Sequence, residues 1–377
     1  MDFADFGRAN AAWLRTFLRL PKGIPSHDTF GRVFAALDPR QFAGCFRKRT
    51  ESLRRHIAQE IVAFEGKTLR RSHDRRRGKS AIHLVSAWAR ANGLVPGQLK
   101  AADKSNEPSG ARSPKGGAFA RRAAPEGAGK SPPSPSCCAR WNWRGALRLR
   151  PGPCRSTGSG PERSRMGACR NGIVTIDAMG AQKQIAREII EADTDYVLAL
   201  KGNHERLHDE VATFLLDARQ RGFRKVPHSF LESVEKEHGR IETRRYWITE
   251  EIGWLEDRPL WEGLRSVGRV ESIREIGGQT STETRFFLCS LPADAGKSAR
   301  AARGHWGIEH QLHWPLDVSF AEDQGRVRAG HAAENLALLR HLTLAILKRD
   351  TTRKRGLKGK PKNAAWDHSC LLSLLAI

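Results

Sequence analysis

Short β-branched runs alternate along this chain with stretches of helical spacing, and together the two patterns predict a mixed fold. The amino-terminal part is helical in pattern. Pro25-Ser26 offers a helix start, and apolar residues then recur from Phe30 at i, i+3, i+4 and i+7, the spacing of one helix face. We therefore expect a helical region at 1–58.

The next part of the chain predicts a central sheet. Its strands are expected, in chain order, at 60–64, 82–89, 94–100, 173–176 and 196–200. Asn92-Gly93 is typical of a hairpin turn between the second strand and the third. A helix that begins near Gln182 separates the last two strands. This order predicts an α/β fold with a mixed central sheet and flanking helices.

The later part of the chain changes pattern twice. Further strand-like runs occur at 243–249, 267–276 and 282–291. They predict a β-rich insertion at about 225–292. Helical spacing then resumes as far as residue 350, and residues 351–377 are expected to form a basic tail. The strongly basic run Lys348–Lys362 is predicted to be mobile and to bind DNA non-specifically, with a solvated tail as the alternative.

The charge of the chain narrows the class of partner. The 377 residues carry 65 Lys and Arg against 41 Asp and Glu, a formal net charge of +24. Such a chain binds polyanions, because Lys and Arg neutralise nucleic-acid phosphates and release counterions; a merely basic surface is the alternative. No apolar run approaches the ~20 residues of a spanning helix. Since the first residues also lack a continuous apolar core, we expect no membrane association and a cytoplasmic, nucleoid-associated location.

Residues 107–171 interrupt the pattern. Between 107 and 170 lie thirteen Lys and Arg against three Glu, together with nine of the eighteen prolines. Hydrophobic periodicity is nearly absent there. One interpretation is a disordered basic linker. The other is a stretch translated out of frame, since shifted reading of GC-rich coding sequence gives this composition.

Three acidic residues are the candidates for catalysis. Asp177 directly follows the strand 173–176, Glu65 is expected to end the first strand, and Glu309 lies in a predicted helix. An acid at the end of a strand reaches the carboxyl edge of a sheet, although Asp177 by itself could simply cap the next helix. Grouped carboxylates supply the oxygen ligands that Mg²⁺ prefers. Two such ions can activate a nucleophile and stabilise the leaving oxygen of a phosphodiester.

Seven sequence blocks carry a family resemblance. In chain order they are Glu65–Ser72, Leu84–Ala89, Lys104–Glu107, Ile173–Gly180, Tyr196–Asn203, His238–Arg245 and Gly304–His310. Together they resemble the H-repeat-associated insertion-sequence transposases (the ISAs family), members of the DDE superfamily with an RNase H-like catalytic core. The resemblance covers nearly all of the chain outside 108–170. It implies a catalytic domain at 59–350 after a truncated H-repeat-associated region at 1–58.

The resemblance also implies an activity, cutting and joining of the element's ends with Mg²⁺ or Mn²⁺ held by Glu65, Asp177 and Glu309. The partner is then double-stranded DNA, at the terminal repeats and the target, and joining two ends implies a DNA-assembled homo-oligomer. Candidates for DNA contact are Lys67, Arg70, Lys201, Asn203, Arg240, Arg244 and His305. An ordinary turn is the alternative for the residues after the strand 196–200, and a solvated strand face for the two later arginines.

The sequence departs from the family pattern at two places. The first acid of the family is normally Asp in an Asp-Gly-Lys-Thr-Leu-Arg context, and here it is Glu65. A misplacement of ~1 Å can cost ~100-fold in rate. The family also enters the strand at Ile173 from a short helix, which 107–171 replaces, and this favours the out-of-frame interpretation. The chain is therefore predicted to be a transposase or a degenerate copy, with a non-catalytic DNA-binding relic as the alternative.

Other residues near Glu309 keep alternatives open. Two tryptophans are expected in the core, with base stacking as the alternative: Trp306 and Trp314. Three histidines suggest a metal cluster that an oxygen-ligand site does not need: His305, His310 and His313. Two acids compete for the role of third acid: Glu322 and Asp323. A cellular RNase H-like nuclease without preference for terminal repeats is a third candidate function.

Overall fold

The computed structural model describes residues 3–53, 60–74, 78–100, 172–237, 239–352 and 354–376. The interpretations of 107–171 concern residues outside these ranges. The strands β1 to β9 are Ile61–Thr68, His83–Ala89, Leu94–Lys100, Ile173–Ile176, Asp195–Leu200, Ser229–Glu237, Arg240–Thr249, Ser266–Ile276 and Gln279–Cys289. The helices α1 to α11 are Phe3–Ala9, Ala11–Leu14, His27–Ala36, Pro39–Leu53, Lys183–Ile190, Glu205–Gln220, Ala295–Ile308, Trp314–Phe320, Ala332–Arg349, Gly359–Trp366 and His368–Ala376.

The strands form one sheet in the order β3-β2-β1-β4-β5-β9-β8-β7-β6. The first three pair antiparallel, and β1, β4 and β5 pair parallel, so the predicted mixed central sheet is confirmed. From β5 onward every pair is antiparallel. The β-rich part therefore extends the core sheet edge to edge.

Two layers of helices cover the core strands, because successive strand residues point to opposite faces. On one face Val62 and Phe64 pack with the apolar stripe of α5, including Ile185 and Ile189. On the other face Ala63 packs with Ile308, Leu312 and Leu316, from the end of α7 through α8. With a period of two, Glu65 and Lys67 continue the Ala63 face. Their side chains accordingly lie under α7 and α8.

Three expectations about elements are corrected by the structure. The first strand does not end at Glu65, because Gly66, Lys67 and Thr68 go on pairing with β2. Strand β6 was not predicted; at the sheet edge its outward positions are exposed, and charged residues blur the apolar alternation. The expected basic tail contains α10 and α11 instead, with Cys370 and Leu374 packed against Ile346 and Leu347 of α9.

The amino-terminal helices dock on the carboxyl-terminal ones. Ser26 caps α3 as predicted, its hydroxyl accepting from the Thr29 N–H. The Asn335 amide of α9 donates to the carbonyls of Phe34 and Leu37, which satisfies acceptors left open at the end of α3. Among the helices in the described ranges, none has the length and apolar composition needed to cross a bilayer.

Candidate active site

The sheet register brings two of the predicted acids side by side. Phe64 of β1 pairs with Ile176 of β4, so Glu65 and Asp177 occupy the next positions on neighbouring parallel strands. Asp177 is on the same face of β4 as Thr175, whose hydroxyl lies 3.1 Å from His305 Nδ1 on α7. Both acids therefore point to the layer that contains α7.

A wide helical turn supplies the third acid. Helix α7 ends at Ile308, and Glu309–His313 form a π-helical turn before α8 begins. Single π turns within helices are frequently found at functional sites. Buried Leu312 anchors this turn against the sheet, while Glu309 stays accessible, with 58% of its side chain exposed.

The three elements converge on a cleft of about 390 Å³. His313 Nδ1 lies 4.0 Å from Glu65 Oε2 and 3.5 Å from Glu309 Oε2. One ligand atom of each of these residues lies within 4.8 Å of the other two. Asp177 lines the same cleft without joining that tight group. Sequence reasoning set His313 aside as unnecessary, although its i+4 spacing from Glu309 was a usable signal.

Burial and proximity shift the pKa values of Glu65 and Glu309 in opposite directions. Burial, then a hydrogen bond to Glu309 and its charge, raise the pKa of Glu65 to about 9. The hydrogen bond from His313 lowers the pKa of Glu309 to about 2. Glu65 Oε2 is buried and has no hydrogen-bond partner. An acidic pair with an unpartnered, inward oxygen is suited to a divalent cation, which prefers carboxylate oxygens.

Two histidines with lowered pKa values lie near the acids, His305 in the cleft lining and His83 on β2. Burial lowers the pKa of His305 and the pKa of His83, and the charge of Asp177 opposes the shift at both. His83 packs directly on Gly66, where an added Cβ would come within 2.4 Å of its Nε2. This contact explains the glycine that follows Glu65.

An ion-pair cluster lies behind the cleft. Lys67 Nζ donates to Asp317 Oδ1 at 2.6 Å and to Glu322 Oε2 at 3.0 Å. The Glu322 side chain is only 1% exposed, and Arg340 is 3.7 Å from its other oxygen. This cluster ties β1 to α8 and the residues that follow it. Glu322 is thus occupied by Lys67, and the alternative that it is the third acid loses its basis.

The predicted DNA contacts fall into two groups. Lys201 and His305 line the cleft, and Arg70 is exposed beside Asp323. The other candidates are placed differently. Lys67 is enclosed by its two carboxylates, and Arg244 is buried against Glu242 at 2.5 Å. These two predictions are corrected, because neither cation faces solvent.

Further candidates lie away from the acids or serve the fold. The Asn203 amide donates to the Ala178 carbonyl and so tightens the turn after Asp177. Arg240 begins β7 at the turn from β6. Neither expected core tryptophan is in the core: Trp306 lines the cleft, and Trp314 is 61% exposed.

In the core sheet, the antiparallel strands β3, β2 and β1 are followed by β4 and β5, which pair parallel. This strand arrangement and the acidic cleft define an RNase H-like domain. A family model described as "Transposase DDE domain" matches residues 161–346, and one described as "DDE_Tnp_1-associated" matches residues 1–49. The "H repeat-associated putative transposase YhhI" of Escherichia coli K12 is 31% identical over 100% of this chain and 87% of its own length. The chain belongs to the H-repeat-associated family of DDE transposases.

A further relative and a solved structure are also similar to this chain. The "Uncharacterized protein in dhlA 3'region" of Xanthobacter autotrophicus is 38% identical over 77% of this chain and 81% of its own length. A solved piggyBac transposase synaptic complex with hairpin DNA is 10% identical, with a TM-score of 0.34, over 96% of this chain and 75% of that one. A similarity that distant supports no argument. Glu65 lies between the two stretches that the family models match.

Raising the pH is expected to destabilise the protein in EDTA through Glu65. A carboxyl whose folded pKa is raised, here from 4.5 to about 9, stabilises fully below pH 4.5 and loses that contribution as the pH rises toward 9. The slope approaches about 1.4 kcal/mol per pH unit for one proton. Glu309, with its lowered pKa, acts in the opposite sense and only below pH 4.5. Urea unfolding of wild type and Glu65→Gln between pH 5 and 9 measures the effect, and equal slopes would contradict it.

Proposed function

We propose that this transposase cuts and joins the ends of its insertion sequence with a divalent cation, Mg²⁺ or Mn²⁺. One observation carries the proposal: Glu65, Asp177 and Glu309, from three separate elements, line a single cleft. Its DNA partners would be the terminal repeats and the target. Holding two ends together favours a DNA-assembled homo-oligomer, and the substrate favours a location at the nucleoid.

The three acids would hold the cation. The buried, unpartnered Glu65 Oε2 supports this assignment, as does the proximity of Glu309, because two such carboxylates repel each other unless a proton or cation lies between them. A bound divalent cation polarises the phosphoryl oxygen and lowers the pKa of water. We assign no other side chain to cation binding.

The remaining residues position these acids. The His313 side chain is only 7% exposed, and its Nδ1 lies 3.5 Å from Glu309 Oε2. This contact holds the Glu309 carboxylate in one orientation. His305 is held by the Thr175 hydroxyl beside Asp177 and, with its lowered pKa, adds no charge to the lining at neutral pH. Lys201, exposed at the end of β5, offers its ammonium group to a phosphate of the DNA.

Cleavage of duplex DNA that carries the element's terminal repeats tests the proposal. Wild type is expected to nick the strand in Mg²⁺ and not in EDTA. Glu65→Asp restores the residue found in the family and should preserve or raise the rate, whereas Glu65→Ala should lower it by about 100-fold or more, because the first acid is then missing. Equal cleavage of DNA without terminal repeats would point to a general nuclease.

The second candidate is a DNA-binding relic without catalysis. Glu65 favours it, because its longer side chain moves the carboxylate from the position that an aspartate would hold. If the protein binds terminal-repeat DNA but never nicks it, even as Glu65→Asp, the relic explains the chain and the enzyme proposal fails.

A further inference from the structure

The acidic cleft has a second lining of opposite charge, contributed by the β-rich extension. Besides the acids, the cleft is lined by Arg274 of β8 and Arg285 of β9, together with Lys201. Neither arginine lies in the sequence blocks that carry the family resemblance. The hairpin β8–β9 thus brings two guanidinium groups to the place where a phosphodiester would have to bind.

Strand register puts both arginines on the same face of the sheet. Arg285 pairs with Val270, which is four residues before Arg274 on β8, and a strand has a side-chain period of two. This face carries Tyr246 and Val270, which pack against Ala295 and Ala299 of α7. The arginines therefore emerge beside the helix that leads into Glu309.

Trp306 fixes Arg285 in place. The Arg285 guanidinium carbon lies 4.4 Å from the centre of the Trp306 ring, and buried Arg244 lies 5.4 Å from the same ring. A guanidinium stacked on an indole is held flat and keeps its donors free to point sideways. This geometry suits bidentate binding of a phosphate.

The carboxylate that neutralises Arg285 is exposed and can be displaced. Arg285 donates to both oxygens of Glu283, at 2.8 and 3.0 Å, and the Glu283 side chain is 55% exposed. Arg274 donates to Glu242 at 3.3 Å; Glu242 is buried and also paired with Arg244, whereas the Arg274 side chain is 45% exposed and can contact a phosphate without displacing Glu242. Exposed ion pairs contribute only about 0–1 kcal/mol. A DNA phosphate can therefore replace Glu283 at little cost.

We propose that Arg274 and Arg285 bind the backbone of duplex DNA next to the acids, with Glu283 as a competitor for Arg285. This proposal rests on the proposed function, because it names the residues that bind DNA in the same cleft. The β-rich extension is then part of the substrate site.

Binding of a fluorescent blunt-ended duplex to the full chain, measured by anisotropy over a range of NaCl concentrations, tests this assignment. An Asp177→Asn background and EDTA prevent cleavage. Arg285→Gln and Arg274→Gln are each expected to weaken binding about tenfold and to reduce the log–log salt slope by about 1, the loss of one phosphate contact. Glu283→Gln should instead tighten binding about threefold or more, because it frees Arg285 without touching the core.

Matched controls come from the opposite face of the same extension, where Arg245 pairs with Glu232 at 2.5 Å. Arg245→Gln and Glu232→Gln change the charge identically but lie outside the cleft lining. If they shift affinity and salt slope as much as the Arg285 and Glu283 variants do, the proposal is overturned. Binding is measured without metal and is therefore independent of cleavage. If the salt slopes change as expected but the wild-type protein does not cleave DNA, only the proposed function fails. If the salt slopes do not change but the wild-type protein cleaves normally, only the assignment of DNA binding to Arg274 and Arg285 fails.

Discussion

Asp177→Asn is expected to lower DNA cleavage by about 10³-fold or more, because cation-based charge stabilisation is worth several kcal/mol and each 1.4 kcal/mol is tenfold in rate. The asparagine keeps the shape of the side chain but loses the negative charge at the end of β4. That charge lines the cleft and acts on both Glu65 and His305. Folding should be unaffected, since Asp177 makes no side-chain cap to the turn that follows it.

The measurement compares cleavage rates in saturating Mg²⁺ with DNA affinity in EDTA. Asp209→Asn is the matched control, because Asp209 is an exposed acid on α6 whose side chain contacts only His208 in the described contacts. Cleavage by Asp177→Asn at the rate of this control would remove Asp177 from the catalytic group.

Lys67→Met is expected to lower the free energy of unfolding by about 3–5 kcal/mol, the cost of removing one partner from a buried ion pair. Lys67 is 13% exposed, and its loss leaves Asp317 and the enclosed Glu322 facing each other without the ammonium group between them. Arg340, 3.7 Å from Glu322, offsets part of this cost. Since the cluster ties β1 to α8, Glu309 should also shift, and cleavage should fall with stability.

Urea unfolding at pH 7 measures the effect against Lys183→Met. Lys183 pairs with Asp257 at the same 3.0 Å, but its side chain is 40% exposed, so that variant should lose about 1 kcal/mol or less. The double variant Lys67→Met/Glu322→Gln should regain part of the stability, because the buried charge is removed with its partner. Equal losses for Lys67→Met and Lys183→Met would show that the cluster does not stabilise the fold.

Local pattern predicted most of the core. The hairpin at Asn92-Gly93, the strand before Asp177 and the helix of Ile185 and Ile189 are all present, because each depends on a few neighbouring residues. The end of β1 was misjudged because Glu65 and Lys67 are charged, and only tertiary partners explain why they stay in a strand. Strand β6 was not predicted for a related reason. A strand at the edge of a sheet needs no fully buried face, so its sequence has no clear alternation of apolar and polar residues.

The chemistry of the site was harder to predict from the sequence than its location. The three acids could be named from strand ends and family resemblance, but their distances depend on the register of β1 against β4 and on the π turn at Glu309. The i+4 spacing of His313 from Glu309 was a signal in the sequence, but its distances to both acids depend on the same π turn. Likewise Lys67 and Arg244 look like DNA contacts until the carboxylates around them are located.

The continuous pairing of β9 with both β5 and β8 determines which changes the gene can accumulate. Along β9, Phe286 and Leu288 face the core beneath α6, whereas Arg285 and Phe287 face the layer of α7. An in-frame deletion of one codon within β9 would exchange the two sets and turn arginine toward the core. At Gly277-Gly278, where the hairpin reverses, extra residues would leave both faces unchanged. Diverging copies should therefore differ in length at that turn and only by substitution along the strands.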